Sequence, residues 1–535
     1  MSERIDINNI PSEKFAFASS EGKLHDKKLE TKPIGYFKDA FIRFRKNKSS
    51  IIGAVIVALL VLFAIVGPFC YDADFQASYV SNSKMLMYYK HLVPKLPGVE
   101  AGSGFWDGTT VEEINEVDYI KLRARGYETG RDPIVEVLDV YTISDVVRTK
   151  TMYKVRVDQY ANVGMFEYAL VYSDYVKLQE YQNQTGRQVI LPYIDSKKVQ
   201  FANKNDKDYW YKCDIKSNAL NESNKKITNL INPTDYSVDF EKLVPGYMTY
   251  YADPDMYDSV RLPNDPGNWY YAKPSGSNAD YEKLTYNVRV DPYEFFVYKY
   301  GFEPYFVFGS TEKGYDIFSR LAQGARFSLI FAVIVSAINL FIGAIYGAIE
   351  GYYGGTTDLI MERVSDILAS IPSMIVTVLF NLHLTKHVGV VPSLVYAFIL
   401  TGWIGMASRT RMQFYRFKNQ EYVLAARTLG ARDRRVMFKH IFPNSLGTII
   451  TGSVLIIPGV IFSETSLTYL GIVNLDSTTM TSVGAMLNAG NGSLASYPHV
   501  VLFPALFIGL LMVSFNLFGN GLRDAFNPSL RGAED

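Results

Sequence analysis

Cysteine is nearly absent from this chain of 535 residues, with Cys70 and Cys213 the only two. So few thiols exclude a disulfide framework and a thiolate metal cluster, and leave either one Cys70 to Cys213 bridge or two unpaired thiols. Histidine is scarce as well, six in all. His383 and His387 stand at i, i+4 spacing, but beside Lys386 on a short outer loop they read as solvated histidines, and no metal site is expected. Net charge is missing too: 54 basic residues balance 54 acidic ones, which removes the basic excess of a nucleic-acid binder. No Gly-x4-Gly-Lys-[Ser/Thr] phosphate loop occurs, so the chain is expected to bind no nucleotide, to hold no cofactor and to have no catalytic residues. Asp253-Pro-Asp255-x2-Asp258 lacks the glycine and closing glutamate of a calcium loop and reads as a turn.

What the chain does have is long apolar runs hidden inside an unremarkable average. Hydrophobic residues make up 48% of the sequence and mean hydropathy is +0.01, yet Ile51 to Phe69 carries no charge and approaches the length of a roughly 30 Å hydrocarbon core. A charged stretch precedes it and no small-x-small site follows, so a cleavable signal peptide is not expected. Further runs at about Phe327–Ile349, Val364–Leu382, Val391–Ala407, Leu446–Thr465 and Val500–Phe518 predict six spans. Arg43, Arg45, Lys46 and Lys48 flank the first on its N-terminal side, placing that end in the cytoplasm. Counting forward, the loop after the fourth span and the tail at Arg523 and Arg531 fall inside as well. Tyr36 to Lys48, with Phe37, Phe41, Ile42 and Phe44 among its charges, reads as an interfacial elbow helix on membrane lipid.

The same parity puts residues 71–308 outside. This segment is polar, rich in Tyr and slightly acidic, and long enough to bury a core of its own. Alternation at Ile134–Ile143, Met152–Gln159, Tyr168–Tyr172 and Thr285–Tyr300 predicts strands, hence a β-rich or α+β domain. Tyr153-Lys-Val-Arg-Val-Asp158-Gln-Tyr160 is echoed by Tyr286-Asn-Val-Arg-Val-Asp291-Pro-Tyr293, either through duplication or because two half-buried strands share a composition. The expected organisation is a cytoplasmic tail with elbow at 1–47, a first span at 48–70, the outer domain at 71–308, a membrane core at 309–528 and a short tail at 529–535.

The loop after the fourth span is the most informative segment. Glu421 to Asn444 reads as two short amphipathic helices between apolar runs: Ala425 and Ala426 allow close approach, Gly430 breaks the first helix, and Pro443 stops the second before the next span. Arg427, Arg432, Arg434, Arg435, Lys439 and His440 make it basic. Ala425-Ala426-x3-Gly430 with Pro443 thirteen residues on resembles the EAA coupling loop of ATP-binding-cassette importer permeases, with Leu424 where that motif carries Glu. Gly309-Ser-Thr-Glu-Lys-Gly-Tyr315-Asp316, Gly351-Tyr-Tyr-Gly-Gly355, Ile371-Pro372, Ser463 to Gly471 and Asn516 to Asp524 with Asn527-Pro528 follow in the order of the oligopeptide and dipeptide permeases. Tyr315 and Asn520 depart from that pattern.

The resemblance implies an all-α polytopic membrane domain of type I ABC importer permease fold, here interrupted by the outer domain. It further implies a transport subunit that carries oligopeptides or dipeptides across a bacterial plasma membrane. Its partners would be a homologous second permease, two ATPases that bind ATP and Mg, and an extracytoplasmic substrate-binding protein. Glu421, Ala425, Ala426, Arg427, Gly430, Arg434, His440 and Pro443 would form the ATPase contact. A metal-chelate or small-solute importer of the same family, and a membrane-anchored receptor or adhesion protein acting through its outer domain, are the alternatives. Within the spans Glu464 is either a pathway residue or a solvated group at the outer end, and Asn339 either an interhelical hydrogen bond or a pathway residue. Asp366 is expected to order the third span.

Overall fold

The computed structural model describes residues 36–70, 89–144, 149–164, 166–191, 231–238, 272–275, 281–477 and 480–526. The readings placed on Cys213, on Asp253–Asp258, on the tail before Tyr36, and on Asn527, Pro528 and Arg531 lie outside the described residues. Cys70 is exposed.

Helix α1 (Tyr36–Lys46) is followed at once by α2 (Lys48–Val66), because the Asn47 side chain takes the Ser50 N–H at 3.4 Å and starts a new helix. Phe44 of α1 packs edge-on against Phe518 of the last helix, while Phe41 and Ile42 stay exposed. Gly53 lets α2 lie directly on that last helix, since a Cβ there would sit 2.8 Å from the Ser514 carbonyl oxygen.

The inserted domain, termed the outer domain after its expected placement, is α+β, with two small antiparallel sheets among the described residues. The first holds β1 (Thr109–Asn115), α3 (Glu116–Thr129), β2 (Ile134–Ser144) and β3 (Thr149–Asp158), with β3 between β1 and β2. The second holds β4 (Phe166–Val171), α4 (Tyr172–Thr185), β5 (Ile190–Leu191), β6 (Ala272–Ser275) and β7 (Thr285–Val290), with β7 pairing β4, β5 and β6. Thr285–Tyr300 is therefore not one strand. Asp291 caps a helix, α5 (Pro292–Tyr300), by accepting the Tyr293 N–H at 3.1 Å; Pro292 opens it and left-handed Gly301 closes it.

The two units repeat each other in helix length, helix ending and strand register, although the second sheet adds β6 and has a shorter β5. Helices α3 and α4 are both 14 residues long and both end on a left-handed glycine, in Thr129-Gly130-Arg131 and Thr185-Gly186-Arg187. Tyr119 of α3 stacks on Tyr153 at 4.4 Å, and Tyr175 of α4 stacks on Tyr286 at 4.8 Å. Ile134 faces Val157 as Ile190 faces Val290. The echoed strands β3 and β7 are the central strands of the two sheets, so the similarity extends to capping, stacking and register and is not confined to composition.

Arg131 and Arg187, equivalent in the repeat, both reach Glu294, at 2.5 and 2.7 Å, and so lock α5 to both units. The domain in turn is keyed to the membrane core. Leu92 and Ser310 exchange hydrogen bonds at 2.8 and 2.9 Å, Lys95 donates its N–H to Phe306, and His91 stacks on Tyr497 at 4.2 Å.

The core starts with α6 (Ile317–Tyr353), capped by Asp316, which takes the Ser319 N–H at 2.8 Å. There follow α7 (Gly355–Ala369), α8 (Ser373–Val388), α9 (Val390–Gly402), α10 (Ile404–Phe417), α11 (Glu421–Thr428), α12 (Asp433–Arg435), a π-helical turn (Val436–Ile441), α13 (Phe442–Val454), α14 (Ile456–Tyr469), α15 (Val483–Gly490) and α16 (His499–Phe526). Among the described residues five helical runs are long and apolar enough to span a membrane, and α7 with α8 makes a sixth if that pair, bent by 71°, is one span. The span expected at about Val364–Leu382 is thus broken at Ser370-Ile371-Pro372, where the residue before a proline is pushed out of helical geometry. His383 and His387 lie on the last turns of α8, both exposed. Among the described residues no group of His, Cys, Asp and Glu is placed to hold a metal ion.

Candidate coupling interface

Helix α11 is short because its sequence supplies both ends: Gln420 is extended before Glu421, and Gly430 with φ +79° turns the chain sharply after Leu429. One residue anchors it. Val423 is fully buried in a cluster with Ala348, Tyr352, Phe414, Val436, Met437 and Ile441. The rest of the helix is open: Glu421, Ala425 and Arg427 are exposed, Ala426 is half-buried, and Leu429, just after it, is 87% exposed. Arg434 and Pro443 line an open groove of about 610 Å³ with Arg432, Arg435, Phe438 and Lys439. His440 is half-buried, and its carbonyl accepts from the Asn444 side chain at 2.8 Å. A loop that leaves Leu424, Leu429 and Phe438 uncovered between arginines presents an apolar centre with a cationic rim.

Pro443 does not stop the second helix. It sits in the first turn of α13, which continues from the π-helical turn into the next span, so that Asp433–Tyr469 runs as one helical segment. A π turn carries one extra residue per turn and shifts the hydrogen-bond register; Phe442 accordingly bonds back to Met437, and the ring of Pro443 is accommodated without a break.

Besides the Val423 cluster, polar contacts tie the loop to α6. Tyr352, in the last turn of α6, donates its hydroxyl to Asp433 at 2.5 Å while the Arg427 guanidinium lies 4.9 Å over its ring. Arg427 of α11 and Asp433 of α12 thus both contact the same residue of α6.

Glu464 and Asn339 lie far from this loop. Glu464 is completely buried, so the solvated position does not hold: Ser328 of α6 donates to it at 2.8 Å, and Thr468 at 3.4 Å. Asn339 is buried between α6 and α9, where its amide reaches the Phe398 carbonyl only at 3.5 Å.

Residues 340–532 match the family described as the binding-protein-dependent transport system inner membrane component, and residues 35–86 match the N-terminal transmembrane domain of oligopeptide transport permease C. The oligopeptide transport system permease protein OppC of Bacillus subtilis is 43% identical over 42% of this chain and 72% of its own length. The chain belongs to the oligopeptide and dipeptide ABC importer permeases. The dipeptide transport system permease protein DppC of the same organism is 40% identical over 42% of this chain and 69% of its own length. OppC of Haemophilus influenzae is 38% identical over 43% and 72%. The chain is thus a multi-pass membrane transport component of type I importer permease fold.

Two features of this permease escape a reading by spans. The first is a glycine stripe on α6. A Cβ at Gly343, Gly347 or Gly351 would come within 2.6, 2.0 or 2.7 Å of a carbonyl oxygen of Trp403, Ala407 or Arg411, so α6 and α10 touch backbone to backbone. The Gly-x3-Gly-x3-Gly spacing is the signal that could have revealed it. The second is Arg411, which binds Asp358 through two nitrogens at 2.6 and 2.8 Å and Glu362 at 2.8 Å, with Glu350 at 3.7 Å. Arg411 lies about fifty residues from Asp358 and Glu362 in the chain, and only the helix packing brings them together. Asp366 instead makes an exposed pair with Arg363 at 3.2 Å.

Proposed function

We propose that this permease is one of the two membrane subunits of an ATP-driven importer that carries oligopeptides or dipeptides inward across a bacterial plasma membrane. The observation that carries the reading is 43% and 40% identity to relatives named for oligopeptide and dipeptide transport. The chain pairs with a homologous second permease, which would cover the apolar faces that α7 and α8 leave exposed at Leu359, Ile367, Ile375 and Leu379. Of two ATPase subunits that supply ATP hydrolysis, one docks on α11 and the arginine groove; Glu421, Ala425, Ala426, Arg427, Gly430, Arg434, His440 and Pro443 form or shape that contact. Both termini face the cytoplasm and the two-unit domain faces outward, where a substrate-binding protein delivers cargo. Alternating access then follows from rigid rocking of the membrane helices, driven through α11 and Tyr352 into α6.

Gly430 tests the coupling. A Cβ there meets nothing within 4 Å, so a side chain acts only through the backbone, where non-glycine residues pay about 1–2 kcal/mol for a left-handed conformation. In proteoliposomes holding the complete importer, Gly430→Val should abolish ATP-driven peptide uptake, and Gly430→Asn, which tolerates that conformation, should keep most of it. Full uptake by Gly430→Val in a complex with normal ATPase content would remove α11 from the coupling path.

A further inference from the structure

The outer domain carries one surface that the importer reading leaves unused. Ala101 to Gly108 forms a glycine-rich loop whose tip is Phe105-Trp106. Phe105 is 70% exposed and stacks flat on Trp106 at 5.3 Å. The loop is held rigidly in spite of its glycines. Asp107, itself buried, accepts the N–H groups of Gly102, Gly104 and Thr109 at 3.1, 2.9 and 3.0 Å and the Thr109 hydroxyl at 2.8 Å, and Leu96 donates to the Trp106 carbonyl at 2.9 Å. Trp106 has φ +49°, a left-handed conformation that a bulky residue adopts only when its surroundings impose it. This scaffold keeps Phe105 in the open beside a half-buried Trp106.

The position of that pair identifies what covers it. Trp106 packs edge-on against Phe503 at 5.8 Å and against Phe308 at 6.2 Å, and those two rings stack on each other at 4.2 Å. Phe503 lies in the second turn of α16, next to the start of an exposed apolar stripe, Leu502, Leu506, Leu510 and Val513, on one of the membrane-spanning helices. One turn below Phe503, Phe507 meets Phe63 of the first span at 6.0 Å. Phe63 is six residues short of Phe69, where that apolar run ends, so Phe503 lies within roughly 5 Å of the outer edge of the hydrocarbon. Trp106 thus occupies the level at which indole rings concentrate in membrane proteins, and the exposed ring of Phe105 extends the apolar surface of α16.

We propose that the Phe105-Trp106 loop is an interfacial anchor that inserts into the outer lipid leaflet beside α16. The inference rests on the membrane placement of the spans and not on the identity of the cargo. The lipid is recognised by its acyl–headgroup boundary, with Phe105 among the upper methylenes and the indole at the headgroups. Together with the His91–Tyr497 stack and the Leu92–Ser310 hydrogen bonds, the anchor fixes the tilt of the outer domain over the transport path.

The test uses the complete importer in nanodiscs of phosphatidylcholine and phosphatidylglycerol, with this chain carrying Cys70→Ser, Cys213→Ser and Phe105→Cys bearing a nitroxide. Collision rates with oxygen, which partitions into lipid, are compared with those of an aqueous nickel chelate. Leu510→Cys on the lipid stripe and Tyr127→Cys on the exposed α3 surface give the two reference values. The oxygen-to-nickel ratio at position 105 should exceed that at 127 several-fold and approach that at 510. A ratio equal to that at 127 would place the loop in water. Low access to both reagents would show a protein partner on it. Either result overturns the proposal. Because Phe105 is largely exposed, its replacement leaves the fold intact, and uptake by the labelled complex confirms assembly.

Discussion

The contact between α6 and α10 gives the sharpest quantitative prediction. At Gly347 an added Cβ would lie 2.0 Å from the Ala407 carbonyl oxygen, whereas a tolerable carbon–oxygen contact needs about 3.3 Å. The helices must separate by roughly 1.3 Å at that point or the side chain must be strained, and overpacking of this kind costs about 1–3 kcal/mol. Separation would also lengthen the Arg411 contact to Glu350 of α6, at 3.7 Å, which crosses the same seam one turn further along. For a core of this size that cost corresponds to a fall in melting temperature of about 2–12 °C. Gly405→Ala on α10 is the control, since a Cβ there meets nothing within 4 Å and the better helix propensity of alanine should make it neutral or stabilising. Melting of the purified complex in detergent, followed by intrinsic fluorescence, should rank Gly347→Ala clearly below wild type and Gly405→Ala at or above it. Coinciding transitions for the two variants would refute the backbone contact, and with it the glycine stripe as the reason these helices meet.

Arg411→Ala should destabilise the complex by on the order of 2 kcal/mol, less than a fully buried pair because Glu362 is 41% exposed; adding Asp358→Asn should recover part of the loss, and thermal melts of the single and double variants decide it. Glu464→Ala should cost about 1–3 kcal/mol by leaving the Ser328 hydroxyl without its acceptor and opening a cavity, while Glu464→Gln keeps the acceptor and should retain uptake; a glutamine variant as impaired as alanine would mean that the charge itself is used. In the outer domain, burial pushes the Glu294 carboxyl up, but the hydrogen bonds from Arg187 and Arg131 outweigh it and hold the group below its ordinary value of 4.5. Its contribution to stability is therefore complete above that value and disappears as pH falls through the lower folded-state value. Melting of the outer domain should drop on acidification below about pH 4.5 by more in wild type than in Glu294→Gln, and parallel pH profiles would exclude the double-arginine clamp.

The sequence by itself determined those features that depend on local pattern. Uncharged runs such as Ile51–Phe69 can be satisfied only in lipid, and the turn at Gly430 needs a residue that tolerates positive φ; both follow from residue chemistry without any knowledge of packing. The strand echo at Tyr153 and Tyr286 was visible, but its meaning was not. Equivalence rests on Tyr119 and Tyr175 stacking on those strands, and on Arg131 and Arg187 converging on Glu294, and these contacts join residues far apart in the chain. The sequence pattern of Thr285–Tyr300 suggests one strand because the apolar residues after Pro292 follow neither period cleanly, whereas the Asp291 cap and the Gly301 stop decide for helix. The bend at Pro372 and the passage of the helix through Pro443 show the same limit: proline restricts the backbone locally, but a kinked, broken or π-turned helix is chosen by what packs around it. Burial of Glu464, pairing of Arg411 and exposure of Phe105 were decided by tertiary structure alone, because whether a charge is solvated or a ring is covered depends on which other helices arrive beside it.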